Sequence, residues 1–331
     1  MHDPNDPLAI LEAAYSVEQA EDTWLEGVLE RAGPNLDRGL GIIGYFVDVS
    51  TPAEFHAWGL RTYRRDQDAE RSVFARWSEL TPVALKRHTH LFWPSGLGSR
   101  IPPLHVEREA FDQSLDATGF PDVFGVSALD PTGRGCALAV PIPEAAERAS
   151  RDLDPLLWDR IAAHLATAAR LRRRLASADP PAVEAVLEPN GKLQHAEGAA
   201  KVRANRDALR DAAVRIDKAR SVAARRDALD ATRHWQALVA QRWSLVDQFD
   251  RDGRRYVVAR PNEPNLPENQ QLTRREAQVV AAAALGHSNK MIAYELSLSP
   301  STVAACLRRA STKLGVSSRV ELILKAASQA R

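Results

Sequence analysis

Cysteine is scarce in this chain. Its 331 residues hold two, Cys136 and Cys306. They fall in different expected domains, which excludes a disulfide framework and fits a reducing compartment. Long apolar runs are missing too. None approaches the length of a membrane span, and no secretory leader precedes the first helical segment. The expectation is a cytoplasmic protein with no membrane association. Catalytic signatures are also lacking. There is no Walker sequence, Gly-x-Ser-x-Gly, Cys-x-x-Cys or His-Glu-x-x-His, so no enzyme, catalytic residue, metal or cofactor is expected. No receiver pattern of acidic pair, strand-end Asp and later strand-end Lys appears, which argues against phosphoryl control. Finally, no acid occurs between Leu296 and Val320.

That last gap is where something is present. The chain carries a net charge of +1, but residues 270–331 hold nine Lys/Arg against three Asp/Glu, and the rest hold 35 against 40. A basic end on an acidic body is the footprint of phosphate neutralisation. Inside it runs "SLSPSTVAACLRRASTKLGV". Ser299 can cap a helix, Pro300 fits its first position and Gly315 can stop it. The spacing predicts a helix over 300–314, with Val303, Leu307, Ala310 and Leu314 on one stripe. The opposite face holds Ser301, Ala305, Arg308 and Thr312, flanked by Ala304 and Arg309. It is narrow, small-sided and positive, a shape that enters a DNA major groove. Upstream, Thr273 and Glu276 form a capping box, Gly286 ends that helix, and Ser288 caps a short second one with Ile292, Ala293 and Leu296 inward. Ser318 and Glu321 open a fourth helix. The order is that of a helix-turn-helix.

Residues 272–327, about a sixth of the chain, resemble the DNA-binding domain of LuxR-type transcriptional regulators. The matching residues are Leu272, Thr273, Arg275, Glu276, Gly286, Ser288, Asn289, Lys290, Ile292, Ala293, Leu296, Ser299, Thr302, Val303, Lys313, Leu314, Gly315, Val316 and Arg319. The resemblance implies an all-α four-helix domain with 299–314 as recognition helix. Met291 stands where the family usually has an acid, Cys306 where histidine is frequent, and Ala304 and Ala305 where longer polar side chains are common. Ser299, Ser301 and Thr302 are expected at phosphate, with Lys290 and Lys313 as further phosphate contacts. Ala304 and Ala305 can offer methyl contacts. Arg308 is placed for a bidentate bond to guanine, with Arg309 beside it or on the backbone.

The front of the chain reads differently. "LAILEAAYSVEQAEDTWLEGVLERA" is amphipathic and ends at Gly33-Pro34, "GLGIIGYFVDVS" is a strand, and 52–80 reads as a mixed helical region. A β-hairpin follows with its turn at Asp130–Gly135, then a periodic helix with Leu157, Ile161, Leu165, Ala168, Leu171 and Leu175 inward. This layout over 1–178 is similar to a GAF-type sensor domain, which implies an α/β sheet with a small-molecule pocket on one face and an exit helix that joins a partner subunit. Arg172–Arg174 at the end of that helix reads as a solvated face. "KRHTHLFWPSGLGSRIPPLH" holds His88, His90 and His105. On a strand, His88 and His90 would share a face and could reach a metal, but no carboxylate or thiolate completes a set. Cys136 reads as a small buried hydrophobe.

Residues 179–260 read as a small α+β connector or dimerisation module, with PAS-like hairpins around a helical centre. Val202, Leu209 and Ile216 form a weak heptad there. A linker at 261–270 leads to the helix-turn-helix domain at 271–331. The fold class is thus multidomain α+β. The functional expectation is a sequence-specific transcriptional regulator acting on double-stranded DNA as a homodimer, with RNA polymerase as a further partner. A small ligand in the N-terminal domain would control it; the alternative is an N-terminal protein-docking module with no ligand.

Overall fold

A computed structural model describes residues 6–51, 54–91, 95–98, 108–143, 153–221, 223–240, 242–250, 252–264, 266, 271–319, 321–323 and 325. The chain opens with α1 (Leu8–Ala14) and α2 (Glu21–Leu36). The amphipathic segment expected to end at Gly33-Pro34 is therefore two helices, and the second runs on through Pro34 to Leu36. Gly33 serves packing instead of a stop: a Cβ there would lie 2.3 Å from the Tyr63 ring. Next come β1 (Ile42–Asp48), β2 (His56–Tyr63), α3 (Gln67–Leu80), α4 (Val83–Leu91), β3 (Ser95–Leu97), α5 (Arg108–Asp116), β4 (Asp122–Leu129) and β5 (Arg134–Ile142). They form an antiparallel sheet in the order β2-β1-β5-β4-β3. The region 52–80 is thus part strand. β2 is an edge with half-open side chains, Trp58 being 41% exposed, so it carries no clean alternation.

The expected periodic helix is α6 (Pro155–Leu175), capped by Asp154. Every residue from Arg160 to Leu171 on it is buried. Over that stretch the helix has no open face for a partner subunit, and only its ends, such as Leu156 at 38% exposed, remain uncovered. The arginine run is corrected. Arg172 lies over the Trp24 ring, Arg173 pairs with Asp130 at 2.6 Å, and Arg174 donates to the Pro261 carbonyl. These are contacts between elements, not a solvated face.

The second sheet is antiparallel in the order β7-β6-β9-β8, from β6 (Ala185–Leu187), β7 (Leu193–Ala196), β8 (Trp243–Phe249) and β9 (Arg255–Pro261). Between its hairpins lie α7 (Arg203–Ala219) and α8 (Ala228–Ala240). The hairpins around a helical centre are thus four strands and two α-helices. Leu209 and Ile216 are buried within the chain, while Val202 precedes α7 and is 56% exposed. One apolar cluster extends from Leu8 through Leu171 to Ala259 and joins both sheets. Buried Arg170 reinforces the join by donating to the Asn262 carbonyl, and Asn262 in turn donates to the Thr167 carbonyl.

His88 and His90 lie on helix α4, not on a strand, so two residues apart they do not share a face. His90 is buried and hydrogen-bonded to Tyr45 at 2.9 Å. His105 lies outside the described residues. No group of three metal-capable side chains occurs among the described residues. Cys136 is buried on β5, and burial pushes its thiol up to about 12. No helix of the described residues is long and apolar enough to cross a membrane.

Candidate nucleic-acid interface

Three helices build the C-terminal unit: α9 (Arg274–Ala284), α10 (Asn289–Leu296) and α11 (Pro300–Leu314). Residues 319, 321–323 and 325 beyond them are helical. The local chemistry is what the spacing asked for. Thr273 and Glu276 complete a reciprocal capping box. Ser288 Oγ accepts from the Met291 N–H. Ser297 closes α10 in the left-handed conformation, φ 51°, and so sets the tight turn. Ser299 Oγ accepts from the Thr302 N–H at 3.1 Å, and Gly315 ends α11 at φ 63°. Val303, Leu307, Ala310 and Leu314 face the domain core, together with Cys306, which the spacing argument had not included.

The outer face of α11 is open. Ser301, Thr302, Arg308, Arg309 and Lys313 are exposed, as is Lys290 on α10, while Ala304 and Ala305 are half-buried. The cations differ in their engagement. Glu276, 3% exposed, accepts from Arg309 Nε at 3.3 Å and from Lys313 Nζ at 2.7 Å. Hydrogen bonds from Lys313 and Thr273 outweigh burial and lower the Glu276 carboxyl to about 2. Arg309 and Lys313 therefore brace α11 against the start of α9. Arg308 has no side-chain partner among the described residues and reaches outward from the middle of the helix. Arg319 holds the α9–α10 turn through the Asn289 side chain and the His287 carbonyl.

One group escaped the sequence argument. Tyr294 on α10 points away from its own domain core and is buried against α6 and α8. Its hydroxyl donates to the Thr232 carbonyl at 2.7 Å. It must then accept from His164 Nε2, 2.9 Å away, which leaves Nδ1 to accept from the Tyr15 hydroxyl at 3.1 Å. Burial holds His164 neutral by lowering it to about 3. Gln236 donates to the Tyr294 carbonyl, and the Arg160 guanidinium sits 4.9 Å from the Tyr294 ring centroid. His287 pairs with Glu295 at 2.9 Å, with the α6 carboxylate Asp159 nearby. The missed signal was available: "MIAYEL" is apolar on both faces, and a helix apolar all round is covered all round.

The N-terminal sheet carries a mostly apolar cavity of about 160 Å³ on the side away from α6. Tyr45, Phe74, Trp77 and His90 form an aromatic wall, with the Tyr45–Phe74 centroids 4.9 Å apart. The cluster under this face includes Leu129 and reaches Leu285 at the end of α9.

Comparison with known proteins agrees with this geometry. Residues 270–326 match the family described as "Bacterial regulatory proteins, luxR family". The C-terminal unit is thus a LuxR-type helix-turn-helix domain. A protein of Vibrio campbellii described as "HTH-type transcriptional regulator MalT" is 37% identical over 78 residues, which is 24% of this chain and 9% of that protein. Its counterpart of the same description in Vibrio cholerae is 31% identical over 99 residues, 28% of this chain and 11% of that one. The chain spans only about a tenth of the length of these relatives.

Proposed function

We propose that this chain is a cytoplasmic, sequence-specific regulator of transcription that binds double-stranded DNA as a homodimer through α11 and is no enzyme. The observation that carries the reading is the outer face of α11, with small side chains, no acid and the unengaged guanidinium of Arg308 at its centre. Ser299, Ser301 and Thr302 meet phosphate at the helix N-terminus, and Lys290 meets it from α10. Ala304 and Ala305 admit the helix deep into the groove and offer methyl contact. Arg308 reads guanine. Arg309 and Lys313 lie at the groove edge, where the donors not used on Glu276 remain for phosphate. Pairing two half-sites compensates for the few base pairs one helix reads, hence the homodimer. RNA polymerase is the natural further partner of an activator of this kind.

The N-terminal half would be a GAF-like domain whose cavity receives a small ligand. The sheet with its cavity on one face and helix α6 on the other supports this, as does the apolar cluster that runs from the cavity side to Leu285. Mapping of bound sites across the genome, followed by titration of full-length chain on the recovered sequence, tests the core claim. A full-length chain with no preference for any recovered site over scrambled duplex would refute it.

A further inference from the structure

The N-terminal cavity is specific enough to name a ligand class. This step rests on the reading that the N-terminal half receives a small molecule. At about 160 Å³, the space is close to that of an engineered apolar cavity of about 150 Å³ that takes up benzene. Its wall is mostly apolar and partly aromatic, with Phe74 and Trp77 centroids 5.4 Å apart beside the Tyr45 ring. Flat rings gain from offset or edge contacts with such a wall. Open space also exists at the floor: a Cβ added to Gly125 would meet nothing within 4 Å.

Ser114 accepts from Trp77 and pairs with Thr81, which leaves one hydroxyl hydrogen of that pair uncommitted, while the polar atoms around Tyr45 and Glu70 are set to accept. His90 Nδ1 lies 2.6 Å from the Lys86 carbonyl, so it carries the proton and Nε2 accepts the Tyr45 hydrogen. The Tyr45 oxygen keeps its lone pairs. The hydroxyls of Thr89 and Thr118 donate to the Lys86 and Leu115 carbonyls. Glu70 goes further. Both Nε and an Nη of Arg65 bind its Oε1, while its Oε2 is shut away from water with no hydrogen-bond partner. Glu70 also lines the cavity. A small turn about its last torsion would aim that oxygen at an occupant, and such terminal torsions are broad. Arg65 already balances the Glu70 charge, and burial keeps His90 neutral by lowering it to about 4. A charged guest would therefore find no counter-ion.

We propose that the cavity binds a neutral aromatic molecule of one or two fused rings that carries one O–H or N–H, and that Glu70 Oε2 and the Tyr45 oxygen accept that hydrogen. A guest lacking a donor would leave the carboxylate oxygen unpaired, which is the costly case.

Calorimetric titration of the full chain with four probes tests this. Phenol and indole carry the donor; anisole and 1-methylindole have the same rings with it blocked. The expected result is binding of phenol or indole at least ten times tighter than of its blocked counterpart. Gly125→Leu fills the floor and should abolish binding while the melting transition stays cooperative. Glu70→Gln supplies a second reading. Arg65 would hold the amide oxygen and turn the NH2 toward the guest, replacing one of the two acceptors by a donor, so the preference for phenol over anisole should fall several-fold, the Tyr45 oxygen keeping the remainder. The proposal falls if no probe binds the wild-type chain, if blocked and free probes bind alike, or if Gly125→Leu binds phenol unchanged. DNA titrations on the same samples keep the two claims apart. A probe that binds but leaves DNA affinity unchanged upholds the site and removes ligand control of DNA binding.

Discussion

The largest apolar core of this chain and that of its C-terminal unit are built by different rules. The large one runs from Leu8 to Ala259 and closes only when α6 is covered by two sheets and by helices distant in sequence. The small one, from Val279 to Leu322, is closed by neighbours: caps at Thr273, Ser288 and Ser299, left-handed stops at Ser297 and Gly315, and the Glu276 brace. The small unit can expose a working surface because its fold is fixed locally. The large unit gives up nearly every face of α6 to its own interior. What joins them is polar beside α6, with Tyr294 against His164 and Thr232 and His287 near Asp159, and apolar where Leu285 meets the cavity-side cluster.

The largest separation of the two should come from the middle of α6. Leu165 is fully buried there. Leu165→Ala should cost the large unit about 2–5 kcal/mol. The isolated fragment 271–331 lacks that residue altogether and should keep its helical circular dichroism and its weak DNA binding. An unfolded fragment in moderate salt would mean that the small core is not independent.

Acid should act on the same side. His90 and His164 are buried and neutral, lowered from 6.5 to about 4 and about 3. The folded chain thus holds fewer protons than the unfolded one below pH 6.5. Stability present above that value drains away as pH falls toward 4 and 3, by an amount on the order of a few kcal/mol. His287 has the opposite sign. Its partner Glu295 raises it, so its contribution is complete below pH 6.5 and is lost as pH rises through the raised value. Melting scans of the full chain from pH 8 to pH 4 should show a steep acid loss, and His164→Gln should flatten it. An acid limb of unchanged steepness in that variant would remove His164 from the account.

The junction can be tested with one atom. Tyr294→Phe strips the hydroxyl that serves both the Thr232 carbonyl and His164 Nε2, leaving buried polar atoms unpaired at about 1–3 kcal/mol. The loss should appear in the full chain and be absent in fragment 271–331, where the residue is not covered by α6 and α8. Equal losses in both would show that Tyr294 matters within its own domain instead.

These same contrasts explain what the sequence could say. The recognition helix was legible to the residue, since Ser299, Pro300 and Gly315 act within one turn of themselves. The connector's hairpins were legible for a similar reason, their turns being local: Gly253, at φ 75°, lies between β8 and β9. The strand β2 was not, although its partner β1 precedes it directly, because its own pattern is that of a half-open edge. Gly33 looked like a stop because only the Tyr63 ring, thirty residues on, shows why it is a glycine. The exposure of α6 was misjudged for the same reason. Its periodic stripe was real, but its other faces, with Arg160, His164 and Arg170, are covered through hydrogen bonds no periodicity records. On the outer face of α11 the exposed positions were legible and their engagement was not: nothing local said that Arg309 and Lys313 would hold Glu276 while Arg308 stayed outside.

That difference in engagement sets the next prediction. Arg308→Ala should cost about 1–3 kcal/mol at the true operator and much less on scrambled duplex, leaving the melting of the domain unchanged. Competition titrations at two salt concentrations read both. Equal losses on the two duplexes would make Arg308 a phosphate contact and pass specificity to DNA shape.

Lys313 should give the smallest and most mixed effect. Its ammonium has three donors, and Glu276 takes one at 2.7 Å. The side chain is 38% exposed, so the remaining donors are open to a phosphate at the groove edge. Lys313→Ala should therefore do two small things together. Loss of the brace should lower the stability of fragment 271–331 by about 1 kcal/mol or less, the range of partly exposed ion pairs. Loss of one phosphate contact should reduce the slope of log affinity against log salt by about 0.9, equally on operator and scrambled DNA. Glu276→Gln separates the two roles. It weakens the brace yet leaves the lysine in place, so it should lower stability and keep the salt slope. If Lys313→Ala shifts stability alone, Lys313 belongs to the fold and the phosphate contacts rest with Ser299, Ser301, Thr302 and Lys290.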